Sequence, residues 1–469
     1  MNDDKAIEVI ESIENTPELT DHEREVEKSL VRKIDIRFIP VTILIYLLCY
    51  LDRSNIGNAK ILNSDTGDDI LQTLSLSNHA YVVALMVFLV AYSVFEVPSN
   101  LALKIISPAK WIGFLVIAFG SFCTGIGGVQ DATSLTVLRF FLGASEAGVF
   151  PGLMYYFTFW YKPSERAFRI ACFLCSATLA GAFGGCIAYG VGHMNGALGL
   201  QAWRWLFIVE GAPTVFLGIC LIFFLPSYPE DVSWLTAEEQ SVQQLRLGRQ
   251  RNQSQQKINW KDAKATLLDA RMYGHYLAYT GIGCGVASLS LFAPTIIQGL
   301  GYRGLHAQLF TVPPYAVAYV CTMLAAYASD RYQMRGLIAG TSLACSTLCF
   351  IVLAVLPDER FTGRYVLLIF ATSGVFAALP SLNAWVGDNA TNTTAMSLVF
   401  ACNVAFSGPG QIAGVWIYRS QDKPLYRLGH GVNACFTALA CSLSFTLYFY
   451  YRGLNKKVAR QAYGHRWME

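Results

Sequence analysis

The sequence predicts an all-α polytopic membrane protein of twelve spanning helices in two pseudo-symmetric six-helix halves. Three observations carry that reading. The 469 residues are 54% hydrophobic and only 14% charged, whereas a soluble domain carries about 25% charged residues. Apolar runs long enough to cross a bilayer, which takes about 20 residues each, recur twelve times. The longest polar interruption, 226–271, falls in the middle, with six runs on either side.

The runs lie at 37–57, 79–101, 110–130, 133–160, 166–191, 203–225, 273–298, 308–329, 337–356, 364–386, 394–418 and 431–451. They divide the chain into an N-terminal tail (1–36), a first half (37–225), a linker (226–272), a second half (273–452) and a C-terminal tail (453–469). The N-terminal tail carries Asp3, Asp4, Glu8, Glu11 and Glu14. It lacks the basic start and short apolar core of a cleaved signal, so it is expected to be partly disordered, with the first span as an uncleaved insertion signal. In the linker, Thr236-Ala237-Glu238-Glu239 reads as a helix-starting capping box.

Basic residues in short loops set orientation. Arg32, Lys33 and Arg37 precede the first span, Lys104 and Lys110 follow the second, and Lys162, Arg166 and Arg169 follow the fourth. The stretch 62–78 has no Lys or Arg and holds Asp65, Asp68 and Asp69. Both termini are therefore expected on the cytoplasmic side. Arg419, Lys423 and Arg427 fall on the other side and are an exception. The sequons at Asn252, Asn389 and Asn392 then face the cytoplasm, where no glycosylation is expected.

Net charge is +3, and the basic residues gather at segment ends rather than on a face that would suit nucleic acid. Cys172 and Cys175 form a CxxC in an apolar helix without other ligands nearby, so packing is the better reading than metal or redox chemistry. The histidines, His22, His79, His193, His275, His306, His430 and His465, are scattered. No nucleophile–base constellation, metal set or ATP-binding motif is evident, so no enzyme activity and no cofactor are expected.

Charges inside the apolar runs are the informative residues. One at mid-bilayer costs about 3 kcal/mol or more and usually faces a cavity or a partner. Arg139 and Glu146 are seven residues apart, about two turns and about 10 Å of rise, so they share one helix face. Asp52 and Arg53 sit about 22 Å along the first span from Arg37, at a depth like that of Arg139. Two readings stay open: an ion-paired lock between helices, or a coupling device. Burial and a nearby cation act oppositely on a carboxylate, and one poised between them takes up and releases a proton near neutral pH. Glu96 and Glu210 read rather as structural. The second half offers neutral polar groups instead: Tyr276, Tyr279, Gln298, Ser381, Asn383, Asn403, Ser407 and Gln411. Together they could form the specificity wall of a cavity.

Twelve helices in two halves, with Leu51-Asp52-Arg53-Ser54-Asn55-Ile56-Gly57-Asn58-Ala59 and Arg139-Phe140-Phe141-Leu142-Gly143-Ala144-Ser145-Glu146, resemble the major facilitator superfamily and, within it, the anion:cation symporter family. Glu96-Val97-Pro98-Ser99-Asn100, Trp203-Arg204-Trp205-Leu206-Phe207-Ile208-Val209-Glu210-Gly211 and Thr311-Val312-Pro313-Pro314-Tyr315 are similar to its fungal allantoate and nicotinate permease branch.

The resemblance implies that Asp52 and Glu146 are protonation sites and that Arg53 and Arg139 engage the substrate. It implies a cavity tyrosine at Tyr50 and a polar cavity residue at Asn403, with Asn383 added from the second-half polar set. It also implies a cytoplasmic gate using Asp330, Arg331 and Arg335, with Glu96 serving the first half, where Lys104 stands near the position of the family's usual aspartate. The expected protein is a proton-coupled importer of a small carboxylate such as nicotinate, allantoate or a related vitamin or nitrogen compound. It is expected to work as a monomer in the plasma membrane by alternating access. A proton-independent uniporter, an exporter of an organic acid and a non-transporting nutrient sensor are the alternatives.

Overall fold

The computed structural model describes residues 20–254, 260–302, 305–357, 360–390, 393–461 and 467–468. Among them, twelve helices are long and apolar enough to cross a membrane. We number these α1 (Asp21–Ala59), α2 (Asn78–Ile105), α3 (Pro108–Ile126), α4 (Ala132–Thr158), α5 (Pro163–Gly192), α6 (Ala202–Phe224), α7 (Ala270–Gly299), α8 (Val312–Tyr332), α9 (Arg335–Val355), α10 (Phe361–Asp388), α11 (Thr393–Trp416) and α12 (Arg427–Gln461). Large apolar side chains such as Phe216, Phe223, Leu348 and Phe449 point outward, as a surface bathed in lipid requires.

Local sequence explains the breaks. α4 is two stretches, Ala132–Glu146 and Val149–Thr158. Pro151 cannot donate to the carbonyl of Ala147, and its ring crowds that carbonyl. Other prolines, including Pro40, Pro213, Pro294 and Pro380, lie inside continuous helices, where neighbouring helices take up the freed backbone groups.

Two segments outside the twelve expected spans are helical. The part of the N-terminal tail from Asp21 onward is helical and continuous with the first span. Its start is fixed by a capping box in which the Glu23 N–H donates to Thr20 Oγ1 and the Thr20 N–H donates to Glu23. The linker is docked rather than loose. Its helix Ala237–Ser254 starts at a second such box, between Thr236 and Glu239. Lys33 reaches Glu239 at 2.8 Å, and the buried Arg246 meets Glu165 at 2.5 Å and Glu27 at 3.2 Å. Trp234 stacks on Trp160 and lies under Arg37. Burial acts against the Glu239 carboxylate, but the Lys33 ammonium and the Thr236 N–H outweigh it and hold its pKa below the usual range.

An even number of spans puts the described ends of the chain on one side. At the far end the halves touch through α1–α7, α2–α11 and α5–α8. There Gln308 donates to the Asn58 carbonyl at 3.0 Å, Gln298 to Ser64 at 3.0 Å, and Ser420 to Asn78 at 2.9 Å. A Cβ at Gly57 would lie 2.4 Å from the Leu291 carbonyl oxygen, so only glycine lets α1 and α7 approach this closely. The loop with Arg419 and Lys423 is at this far end, where Arg419 pairs with Asp422.

Candidate functional site

α1, α2, α4, α7, α10 and α11 enclose a central cavity with about 480 Å³ of empty space, its open mouth included. Tyr46, Tyr50 and Arg53 line it from α1, at positions i, i+4 and i+7 of one helical face. Tyr92 and Phe150 complete the first-half wall. Tyr279, Ile282, Val286, Leu379, Val404, Ser407 and Gln411 form the facing wall.

Arg53 is the cation at the cavity surface. Its guanidinium lies 4.8 Å from the Tyr92 ring centroid, 5.1 Å from Phe88 and 5.7 Å from Tyr50. Such faces offset part of the cost of moving a cation out of water. One nitrogen, Nη2, donates to Gln411 Oε1 across the cavity at 2.7 Å. Arg139 is fully buried and lies 4.6 Å from the Phe88 ring centroid, so Phe88 has both guanidiniums within 5.1 Å. Among the described residues no nitrogen of Arg139 has a hydrogen-bond partner. In this conformation Arg139 is therefore not part of the cavity wall.

Glu146 is 1% exposed, with Arg53, Asp52 and Arg139 as its charged surroundings and Cys49 beside it. Among the described residues only the Cys49 thiol lies within hydrogen-bonding reach of its oxygens. Asp52 is also fully buried but turns away from the cavity, toward Cys123 of α3 and Thr214 of α6. Glu210 shares that interhelical space. Of the three charges expected at one depth, Arg53 and Arg139 lie over Phe88, while Asp52 turns to the space it shares with Glu210, still within electrostatic reach of Glu146.

Asn383 and Asn403 are buried in the second half with 3.5 Å between the Asn403 amide nitrogen and Asn383 Oδ1, and neither is among the residues that line the cavity. Glu96 is buried without a hydrogen-bond partner, near Tyr92, Tyr279 and Cys402. At the end that carries the termini, Arg335 bonds Asp330 at 2.8 Å and also pairs with Asp388, while Arg331 is exposed. The side chains of Lys104 and Asn252, and all of Asn392, lie outside the described residues. Asn389 is buried, and its side-chain oxygen accepts from the Met468 N–H.

Phe88 and Tyr92 were missed by the sequence reading, which named Tyr279, Ser407 and Gln411 only collectively, within a polar set that could wall a cavity. The signal was present in the four-residue spacing of Phe88–Tyr92 and of Ser407–Gln411, which puts each pair on one helix face. What the sequence could not show was that these faces oppose Arg53.

Gly143 holds this arrangement in place. A Cβ there would lie 2.3 Å from the Phe88 carbonyl oxygen. Gly143→Ala should force α2 and α4 apart, at an overpacking cost of about 1–3 kcal/mol. The detergent-purified variant is expected to melt several degrees below wild type. An unchanged melting temperature would show that the contact yields freely.

The description Major Facilitator Superfamily matches residues 42–452. MFS transporter prlL of a fungal species (strain NRRL 50135) is 48% identical over 98% of this chain and 94% of its own length. A putative tartrate transporter of Agrobacterium vitis is 33% identical over 70% of this chain and 71% of its own. In fold, the chain is similar to the proton:xylose symporter XylE, with TM-score 0.66 and 13% identity, covering 88% of this chain and 96% of that one. With the twelve helices and the central cavity, these likenesses show that the chain belongs to the Major Facilitator Superfamily and is a multi-pass membrane transporter.

Proposed function

We propose that this transporter imports a small organic carboxylate together with protons. The observation that carries the reading is Arg53, the cation at the surface of an otherwise aromatic and neutral cavity, with the buried Glu146 behind it. An anion with a flat or short apolar body suits those walls, and a guanidinium suits its carboxylate. Arg139 would stabilise the same anion at longer range. Glu146, and behind it Asp52, would carry the protons. The relative named as a putative tartrate transporter supports a carboxylate, and the symporter of like fold supports a proton gradient as the energy source.

On this reading the end that carries the termini faces the cytoplasm, in the plasma membrane. The hydrogen bonds at the far end then close the outside. The conformation is the inward-facing one of an alternating-access cycle, and the Asp330–Arg335–Asp388 cluster lies at the cytoplasmic gate. The test is uptake of a panel of labelled carboxylates, including nicotinate, allantoate and tartrate, by cells that lack their own permeases. Accumulation that a protonophore abolishes is expected. Uptake that only equilibrates and ignores the protonophore would make the protein a uniporter. Export of the anion would reverse the direction.

A further inference from the structure

The hydrogen bond between Arg53 and Gln411 joins the two halves inside the cavity itself. Arg53 stands on α1 of the first half and Gln411 on α11 of the second, and both side chains line the cavity. The orientation of the Gln411 amide is settled by its neighbours. Its nitrogen donates to Ser407 Oγ at 2.7 Å, and that hydroxyl in turn donates to the Val404 carbonyl at 2.6 Å. Ser407 has one hydrogen to give and gives it to Val404, so it accepts from Gln411. The amide oxygen is left to face the guanidinium. A run of donors thus presents one neutral acceptor to the cavity's cation.

We propose that Gln411 is a built-in competitor for the anion site: in the empty carrier its amide oxygen takes the place on Arg53 that the substrate's carboxylate takes in the loaded one. This rests on the carboxylate reading above. The consequences are those of competition. A carboxylate forms charge-assisted hydrogen bonds, roughly twice as strong as those of a neutral acceptor, so it displaces the amide. A neutral ligand of the same shape offers an acceptor no better than the one already present and gains little by exchange. Gln411 thus weakens every ligand held by Arg53 by the same factor, so a carboxylate, with the stronger bonds, stays bound at concentrations where its own amide does not.

The same exchange has a mechanical effect. Displacing Gln411 removes a bond between the halves at the cavity centre and frees the amide to turn toward the ligand. Occupancy of the site is thereby registered on α11 as well as on α1. Removing a residue that only braced the cavity would not tighten ligand binding.

The experiment measures transport by the full-length protein in proteoliposomes, with membrane incorporation quantified for every variant. The acids are a panel of mono- and dicarboxylates that includes nicotinate and tartrate. Nicotinamide and tartramide serve as neutral competitors. Gln411→Leu removes the acceptor at nearly constant volume, and Gln411→Asn shortens its reach. Both are expected to lower KM for the acid about 3- to 10-fold and the inhibition constant of its amide by a similar factor. Gln411→Glu places a permanent carboxylate on Arg53 and is expected to raise KM more than 10-fold. If incorporated Leu and Asn variants keep the wild-type KM and the wild-type amide inhibition while wild type carries an acid, the assignment of Gln411 is overturned and the carboxylate reading stands. If wild type carries none of the acids, the carboxylate reading is overturned and the assignment falls with it.

Discussion

Arg53→Lys is expected to cut carboxylate uptake at low substrate concentration by roughly 10- to 100-fold, with membrane abundance close to wild type. A charged hydrogen bond is worth about 1.5–3 kcal/mol, and that range sets the size of the loss. Lysine keeps the charge but loses the planar fork that holds a carboxylate by two bonds. It also loses the flat face that lies over Tyr92 and Phe88. The damage should appear mainly in KM, because Arg53 lies at the cavity surface. Arg139→Lys makes a useful contrast. Arg139 is buried beside Phe88, so its replacement should act more on the maximal rate than on KM, through the field around Glu146. Initial-rate measurements on both variants test the pair. Equal KM values for Arg53→Lys and wild type would remove Arg53 from the binding site.

Much of the architecture was legible because hydrocarbon imposes a simple rule. A span must be about 20 apolar residues long, so twelve runs and one long interruption gave twelve helices in two groups. The cytoplasmic-side helices were less legible, because their stability comes from partners. Arg246 in the linker looks like any surface arginine in sequence. It is buried only because Glu27 and Glu165, more than 80 residues away along the chain, converge on it. The same distinction applies to the site. Arg53, Arg139 and Glu146 were conspicuous as charges in apolar surroundings, and helical spacing put Arg139 and Glu146 on one face. Rise along a helix gives depth but not azimuth across different helices. That is why Asp52, adjacent to Arg53 in sequence, was grouped with Arg53 and Arg139 although its side chain turns toward α3 and α6. Gln411 carries no charge to mark it, and only the packing of α11 against the first half brings it to Arg53.

Glu146→Gln is expected to abolish proton-driven accumulation while preserving exchange. In this conformation Glu146 is 1% exposed, lies beside the Cys49 thiol, and has Arg53 and Arg139 as its neighbouring cations. With the cavity empty, those two cations can balance the carboxylates of Glu146 and Asp52. When a substrate carboxylate takes Arg53, three anions face two cations. The loaded carrier would then move an uncompensated carboxylate through apolar surroundings, which costs several kcal/mol. A proton on Glu146 removes that charge, so loading of the anion and of the proton become linked. Release of the anion restores the balance and lets the proton leave on the same side. Glutamine imitates the protonated state permanently. The variant should bind substrate and exchange labelled for unlabelled substrate across a vesicle membrane, and its exchange should lose most of its pH dependence. It should fail to concentrate substrate when an inward proton gradient is imposed, a loss expected to exceed 10-fold in the steady-state accumulation ratio. Counterflow and gradient-driven uptake, measured separately on reconstituted protein, tell these apart. If Glu146→Gln still accumulates substrate against its gradient with the wild-type pH profile, the coupling proton is carried elsewhere, and Asp52, buried between α3 and α6 beside Glu210, is the carboxylate to replace next.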